Sequence, residues 1–267
     1  MKKKVRVIVI GILAVVFFLP VLLTVLNSFT MQPEVAEPES IALWKPQGVS
    51  LVGYYNILVE TGWFLKGFWN SVLYAGVTTL LNVLVSIPAA YAFREAEFKG
   101  KRALYFFYIV LMMMPLQVTI LPNYIGLRDM NLLNTHWAII LPGIFSPFGV
   151  FLMCQYMTGI DRSTLEAARL ETKSVLQILF HIAVPQVKIC IAALFLFVFA
   201  ENWNLVEQPQ VYLKATEKMP LSVLLALGQE CDLLSLLAGS VLFMIPIVIL
   251  YLYFHEHLEA GLGSLKL

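Results

Sequence analysis

The chain has 267 residues, 60% of them hydrophobic and only 13% charged, with a mean hydropathy of +0.81 and a formal net charge of +1. Soluble domains carry about 25% charged residues, so half of the usual charge is missing. A net charge near zero also excludes a basic nucleic-acid-binding surface or an acidic disordered tail. The remaining broad class is an integral membrane protein.

A hydrocarbon core of roughly 30 Å needs about 20 apolar residues per helix. Runs free of Asp, Glu, Lys and Arg mark five such spans: Val7 to Leu26, Gly67 to Phe93, Ala103 to Leu127, Trp137 to Ile160 and Leu233 to Phe254. Ile189 to Ala200 is shorter, but uncharged sequence resumes at Asn202, and Lys188 can snorkel to a membrane surface. It is read as a sixth span interrupted by the carboxylate of Glu201. Lys2, Lys3, Lys4 and Arg6 precede the first span; Arg94, Lys99, Lys101 and Arg102 follow the second; Arg162, Arg169 and Lys173 follow the fourth. By the positive-inside rule these segments are cytoplasmic. The fold expected is all-α, with six transmembrane helices and both termini inside.

The first span is too long for a signal-peptide core, and no small-x-small cleavage site follows Asn27 and Ser28. It is expected to remain as an anchor over residues 1–29. An outer loop is expected over 30–66, a five-helix core over 67–257 and a cytoplasmic tail over 258–267. Cys154, Cys190 and Cys231 are odd in number and scattered, which points to no disulfide framework.

No G-x-x-x-x-G-K-[ST] loop occurs, so this chain has no nucleotide cofactor site of its own. His255-Glu256-His257 lacks the i, i+4 spacing of a helical metal site and reads as the polar end of the last span. No G-x-S-x-G elbow is present. No internal repeat of the kind found in secondary transporters is visible either, so the chain looks like half of a larger assembly.

The inner loop at about 158–184 is long enough for structure of its own. Ser163 and Glu166 stand at capping-box spacing, and Ala167, Ala168, Arg169, Leu170 and Glu171 follow without Gly or Pro, so Asp161 to Val184 reads as a helix, with Pro185 opening the next. Leu165, Ala168, Val175, Leu176 and Leu179 fit an amphipathic connector on the membrane. The alanines bury little area, however, and small side chains beside charges better suit a helix seated in a protein groove.

Leu165-Glu166-Ala167-Ala168-Arg169-Leu170-Glu171, with Phe180, Ile182, Val184-Pro185 and Trp203-Asn204, resembles the EAA loop of binding-protein-dependent ABC importer permeases. The likeness is closest to the carbohydrate-uptake subfamily, in the subunit similar to the smaller maltose-transporter permease. Asn70-Ser71, Ala90-Tyr91-Ala92-Phe93, Phe98-Lys99-Gly100-Lys101, Pro115-Leu116-Gln117 and Leu121-Pro122 extend it through most of the chain. The resemblance implies a type I ABC importer permease fold in a prokaryotic inner membrane and a non-catalytic, multi-pass subunit. Its implied partners are a second, non-identical permease, two ATPase subunits that hold ATP and Mg, and an extracytoplasmic solute-binding protein that meets Thr30 to Lys66 and Leu205 to Gln229. Glu166 is then the docking carboxylate, with Ala167 and Ala168 allowing close approach. The family's usual Asp-Gly-Ala is here Glu171-Thr172-Lys173, which removes a glycine suited to a left-handed helix end.

Intramembrane ionisable groups are expensive and tend to line cavities. Glu201 lies thirteen residues beyond Lys188, about 20 Å along a helix, and with Asn202, Trp203 and Asn204 forms a candidate surface for hydrogen-bonding and stacking a carbohydrate. Gln117, between Pro115 and Pro122, is a further pathway candidate. Asn70, Asn82 and Gln155 are expected to bond between helices, and Met112-Met113-Met114 to pack. The rival functional class is a proton-coupled secondary transporter using Glu201; an intramembrane enzyme needs a nucleophile-base pair that the sequence does not display.

Overall fold

The computed structural model describes residues 2–30, 48–228 and 231–264, with side chains described from 6 to 255. Apart from one isolated bridge between Thr30 and Val49, every regular element among the described residues is helical. Along the chain run α1 (Lys2–Ser28), α2 (Gly62–Glu95), α3 (Lys101–Met112), α4 (Leu116–Asp129), α5 (Trp137–Ile144), α6 (Pro147–Thr158), α7 (Arg162–Glu171), α8 (Lys188–Trp203), α9 (Glu207–Tyr212), α10 (Leu221–Leu227) and α11 (Leu233–Ser264). Most of the expected outer loop, including Pro33, Glu34, Glu37, Pro38, Glu39, Trp44, Lys45 and Pro46, lies outside the described residues, as do Gln229 and the side chains of Glu256 and His257.

Among the described residues four stretches are long and apolar enough to cross a membrane: Arg6–Ser28, Gly62–Glu95, Trp137–Thr158 and Leu233–His255. Two more crossings arise if each of two bent pairs counts as one, α3 with α4 at 107° and Val175–Gln186 with α8 at 80°. The run Ala103 to Leu127 is therefore not a straight rod. Pro115, in extended conformation, begins α4, and Met113 and Met114 form the turn before it. The last helix continues to Ser264, past the expected start of a tail at 258.

α2 is the central pillar, packed along α8, α6 and α5, while α1 lies outside the bundle against α11 with its apolar face uncovered. Lipid-facing surfaces explain the many exposed large apolar side chains. Along α2 runs a buried polar stripe of Ser71, Thr78, Thr79, Asn82 and Ser86. Small groups let neighbouring backbones come close: a Cβ on Gly143 would collide with the Thr78 methyl, and one on Gly149 with Ser86 Oγ and Asn82 Oδ1. Asn82 Nδ2 donates to the carbonyls of Gly143 (3.0 Å) and Ile144 (3.1 Å), where the chain breaks between α5 and α6. As expected, Asn70 also bonds between elements, to the carbonyls of Glu217 and Met219, and Gln155 bonds the Tyr105 hydroxyl. Cys154 and Cys190 are free and buried.

Replacing Asn82 with leucine keeps the volume and removes the donor to the Ile144 carbonyl. It is expected to cost about 2 kcal/mol, read as a lower unfolding midpoint in detergent. Asn204→Leu, which loses only a bond to its own helix at Ala200, is expected to leave the midpoint nearly unchanged.

Candidate functional site

Two regions carry the polar chemistry, one at each end of α8. At the first, α7 is an isolated ten-residue helix between Gly159 and Thr172. It begins at Arg162, with Asp161 in the capping position and no side-chain cap. The anticipated capping box does not form, because Ser163 already lies inside the first turn, and Glu166 instead reaches Arg162 at 4.0 Å as an exposed i, i+4 pair. Nor does the helix continue to Val184. Thr172 turns extended, with φ −141° and ψ 142°, and its hydroxyl together with Ser174 organises the start of the next helical segment. Pro185 sits in the first turn of its own short helix, as expected.

The faces of α7 are distinct. Leu165 and Ala168 are buried in the bundle with Ile178 and Leu179. Glu166, Ala167 and Leu170 face outward, and Leu170 is 90% exposed. Ala168 therefore packs inward, leaving Ala167 as the small side chain on the free face. Val175, Leu176 and Phe180 are exposed beyond it, so the amphipathic stripe expected from sequence divides between the interior and the surface.

An ionic tether binds α7 to the end of α2. The Arg169 guanidinium donates to Glu95 Oε2, Arg94 Nε donates to Glu95 Oε1 at 2.9 Å, and Arg94 also donates to the Ile160 carbonyl at 2.6 Å. The Arg94 and Glu95 side chains are only 12% and 15% exposed. Lys101 Nζ closes the end of α2 by donating to the carbonyls of Arg94 and Ala96. Sequence reading placed Arg94 among simple loop charges and passed over Glu95. The pairing of oppositely charged neighbours at a helix end was the available signal.

The second region is a cleft of about 900 Å³ at the other end of the bundle, walled by the α3–α4 elbow, the α5–α6 break and the last turns of α8. Glu201 and Asn202 line it, as do Met112 and Met114 from the elbow. Glu201 is exposed and makes no hydrogen bond within the described chain, whereas Asn202 is buried and donates to Val198. Trp203 departs from expectation. Its ring is fully buried, stacked between Phe199 and Phe243 with Phe68 edge-on, and its Nε1 donates to the Phe243 carbonyl, so it has no free face for stacking. Asn204 bonds back to Ala200, and Gln117 bonds both oxygens of Glu207 at 3.2 Å; neither lines the cleft. The aromatic faces in the cleft belong instead to Phe145 and Phe197, 61% and 54% exposed, which sequence reading did not single out. Among the described residues no group of His, Cys, Asp or Glu is placed to hold a metal ion.

Residues 82–264 match the family described as the binding-protein-dependent transport system inner membrane component, and the chain belongs to that family. An arabinooligosaccharide transport system permease, AraQ of Halalkalibacterium halodurans, is 30% identical over 95% of this chain and 93% of its own. The lactose transport system permease LacG of Rhizobium radiobacter is 30% identical over 74% of each chain. The fold is shared with a bacterial ABC transporter involved in import of the acidic polysaccharide alginate, at a TM-score of 0.82 and 22% identity over 95% of each chain. The protein is thus a carbohydrate-uptake permease of the ABC importer class, an integral membrane protein. That membership sets aside the proton-coupled secondary transporter.

The tether makes a specific prediction. Arg169→Ala is expected to weaken the hold on α7 by about 1 kcal/mol, because Arg169 is itself half exposed. Amide hydrogen exchange over 162–171 then speeds by about fivefold, with the bundle unaffected. Arg162→Ala, which loses only the exposed contact to Glu166, is expected to change it little.

Proposed function

We propose that this chain forms half of the translocation pathway of an ATP-driven carbohydrate importer and receives the ATPase stroke through α7. The observation that carries the reading is the split character of that helix. One face is packed and ionically tethered to the bundle, while the other presents Glu166, Ala167 and a 90% exposed Leu170 to a partner. An apolar side chain beside a carboxylate and a small residue suits a helix laid into a groove. The occupant is one of two ATPase subunits, which hold the ATP and Mg. A push on α7 passes through the Arg169–Glu95 pair into α2, and from α2 to α5, α6 and α8, which pack on it.

The bent pairs count as single spans in this reading, giving six crossings with both termini and α7 in the cytoplasm, as the lysine and arginine distribution supports. The cleft around Glu201 then opens toward the outer side. There a solute-binding protein delivers the saccharide, and a second, non-identical permease closes the other wall. A fold relative is known in complex with an alginate pentasaccharide-bound periplasmic protein, which supports this arrangement.

In the reconstituted assembly, Glu166→Lys is expected to lower both transport and receptor-stimulated ATP hydrolysis at least about tenfold without loss of the folded permease; one ion-pair reversal at a docking face suffices for that size of effect. Transport unchanged in that variant rejects docking through α7. Uptake is further expected to continue in the presence of a protonophore as long as ATP is supplied.

A further inference from the structure

We infer that the Glu201 cleft is a charge-selective saccharide subsite, built for neutral sugars and against uronate-bearing ones. The inference rests on the pathway reading above and adds a substrate class to it. The cleft's volume of about 900 Å³ is within the range that encloses small ligands. Its lining combines the two surfaces a sugar needs. Phe145 and Phe197 offer exposed rings for the C–H faces, and Phe148 holds Phe197 edge-on at 6.2 Å. Ser146, Glu201 and Gln208 also line it, and none of their side chains makes a hydrogen bond within the described chain, so each is available to hydroxyl groups.

Charge decides the kind of sugar. Among the described residues Glu201 is the one ionisable group lining the cleft, and no Lys, Arg or His accompanies it there. A second carboxylate, Glu207, stands beside Gln208 and is held by Gln117. Arg128, the cation nearest in sequence to the lining residues, is already paired with Asp129 at 3.0 Å. Apolar cleft walls focus the field of a carboxylate through the opening, so it repels an approaching anion and leaves a neutral hydroxyl-rich ligand a strong acceptor. The importer of alginate shares this fold, so the architecture alone does not decide between neutral and acidic cargo.

The test reads the field directly and needs no knowledge of the natural sugar. In the full reconstituted complex with Cys231→Ser, Ser146→Cys is treated at about pH 8, where a carboxylate is ionised, with a cationic trimethylammonioethyl or an anionic sulfonatoethyl methanethiosulfonate. The ratio of the two rates at one thiol cancels its thiolate fraction. Relative to a small free thiol, the ratio is expected to favour the cation by about tenfold. It is expected to fall to near parity with Glu201→Gln and to invert with Glu201→Lys. A ratio that shows no preference, or that Glu201→Gln leaves unchanged, overturns the charge selectivity while the pathway reading stands. Failure of both reagents to label the thiol in every nucleotide state overturns the pathway reading itself. Gln208→Cys, also in the cleft lining, provides the same readout if the first variant does not assemble.

Discussion

The arrangement depends on one buried amide. A helix that breaks inside a bilayer leaves backbone carbonyls with no water to take them, and between α5 and α6 those carbonyls belong to Gly143 and Ile144. The Ser146 N–H donates to the Gly143 carbonyl, and Asn82, fully buried at the middle of α2, donates to both. Because the amide must come within hydrogen-bond distance of a main chain, its neighbours must be small, and Gly143 and Gly149 are. The break in turn exposes Phe145 and Ser146 to the cleft, and the close approach brings Asn202 of α8 beside Gly143. The cleft is therefore a consequence of how α2 accommodates a discontinuous neighbour.

Much of this was legible from residues alone, and what was not has physical causes. The positions of the spans followed from the absence of charge, a property of the solvent that no tertiary contact alters. Bends did not follow. Ala103 to Leu127 is uncharged on both sides of Pro115, so the absence of charge has nothing to report about a 107° elbow. Trp203 is buried against expectation and Phe145 is not singled out by sequence, for a related reason. An indole beside two asparagines looks suited to a sugar, but its N–H found a carbonyl on α11 and its ring found three phenyl neighbours, whereas Phe145 sits at a helix break that leaves it uncovered. Which aromatic is buried depends on packing partners remote in sequence.

The inner loop shows the limits of reading shape from a motif. Glu166 and its neighbours were found by motif, yet the helix ends at Glu171, where a threonine replaces the family's glycine. A left-handed exit is costly for a β-branched residue, and Thr172 avoids it by turning extended and lending its hydroxyl to the next segment. The substitution thus changes how the helix stops without abolishing the stop.

The Arg94–Glu95–Arg169 cluster explains how so short a helix is held in a fixed direction. Ten residues are too few for an isolated helix to be stable in water, so α7 exists only through what holds it. Burial of Leu165 and Ala168 fixes its position but is non-directional and permits sliding. A guanidinium on a carboxylate that is itself held by a second arginine adds direction. Because that carboxylate belongs to α2, the helix that receives any displacement of α7 is the same one whose Asn82 holds the α5–α6 break. Apolar contact and ion pair therefore have separate duties, and the tether and the α5–α6 break are joined by a single continuous helix of 34 residues.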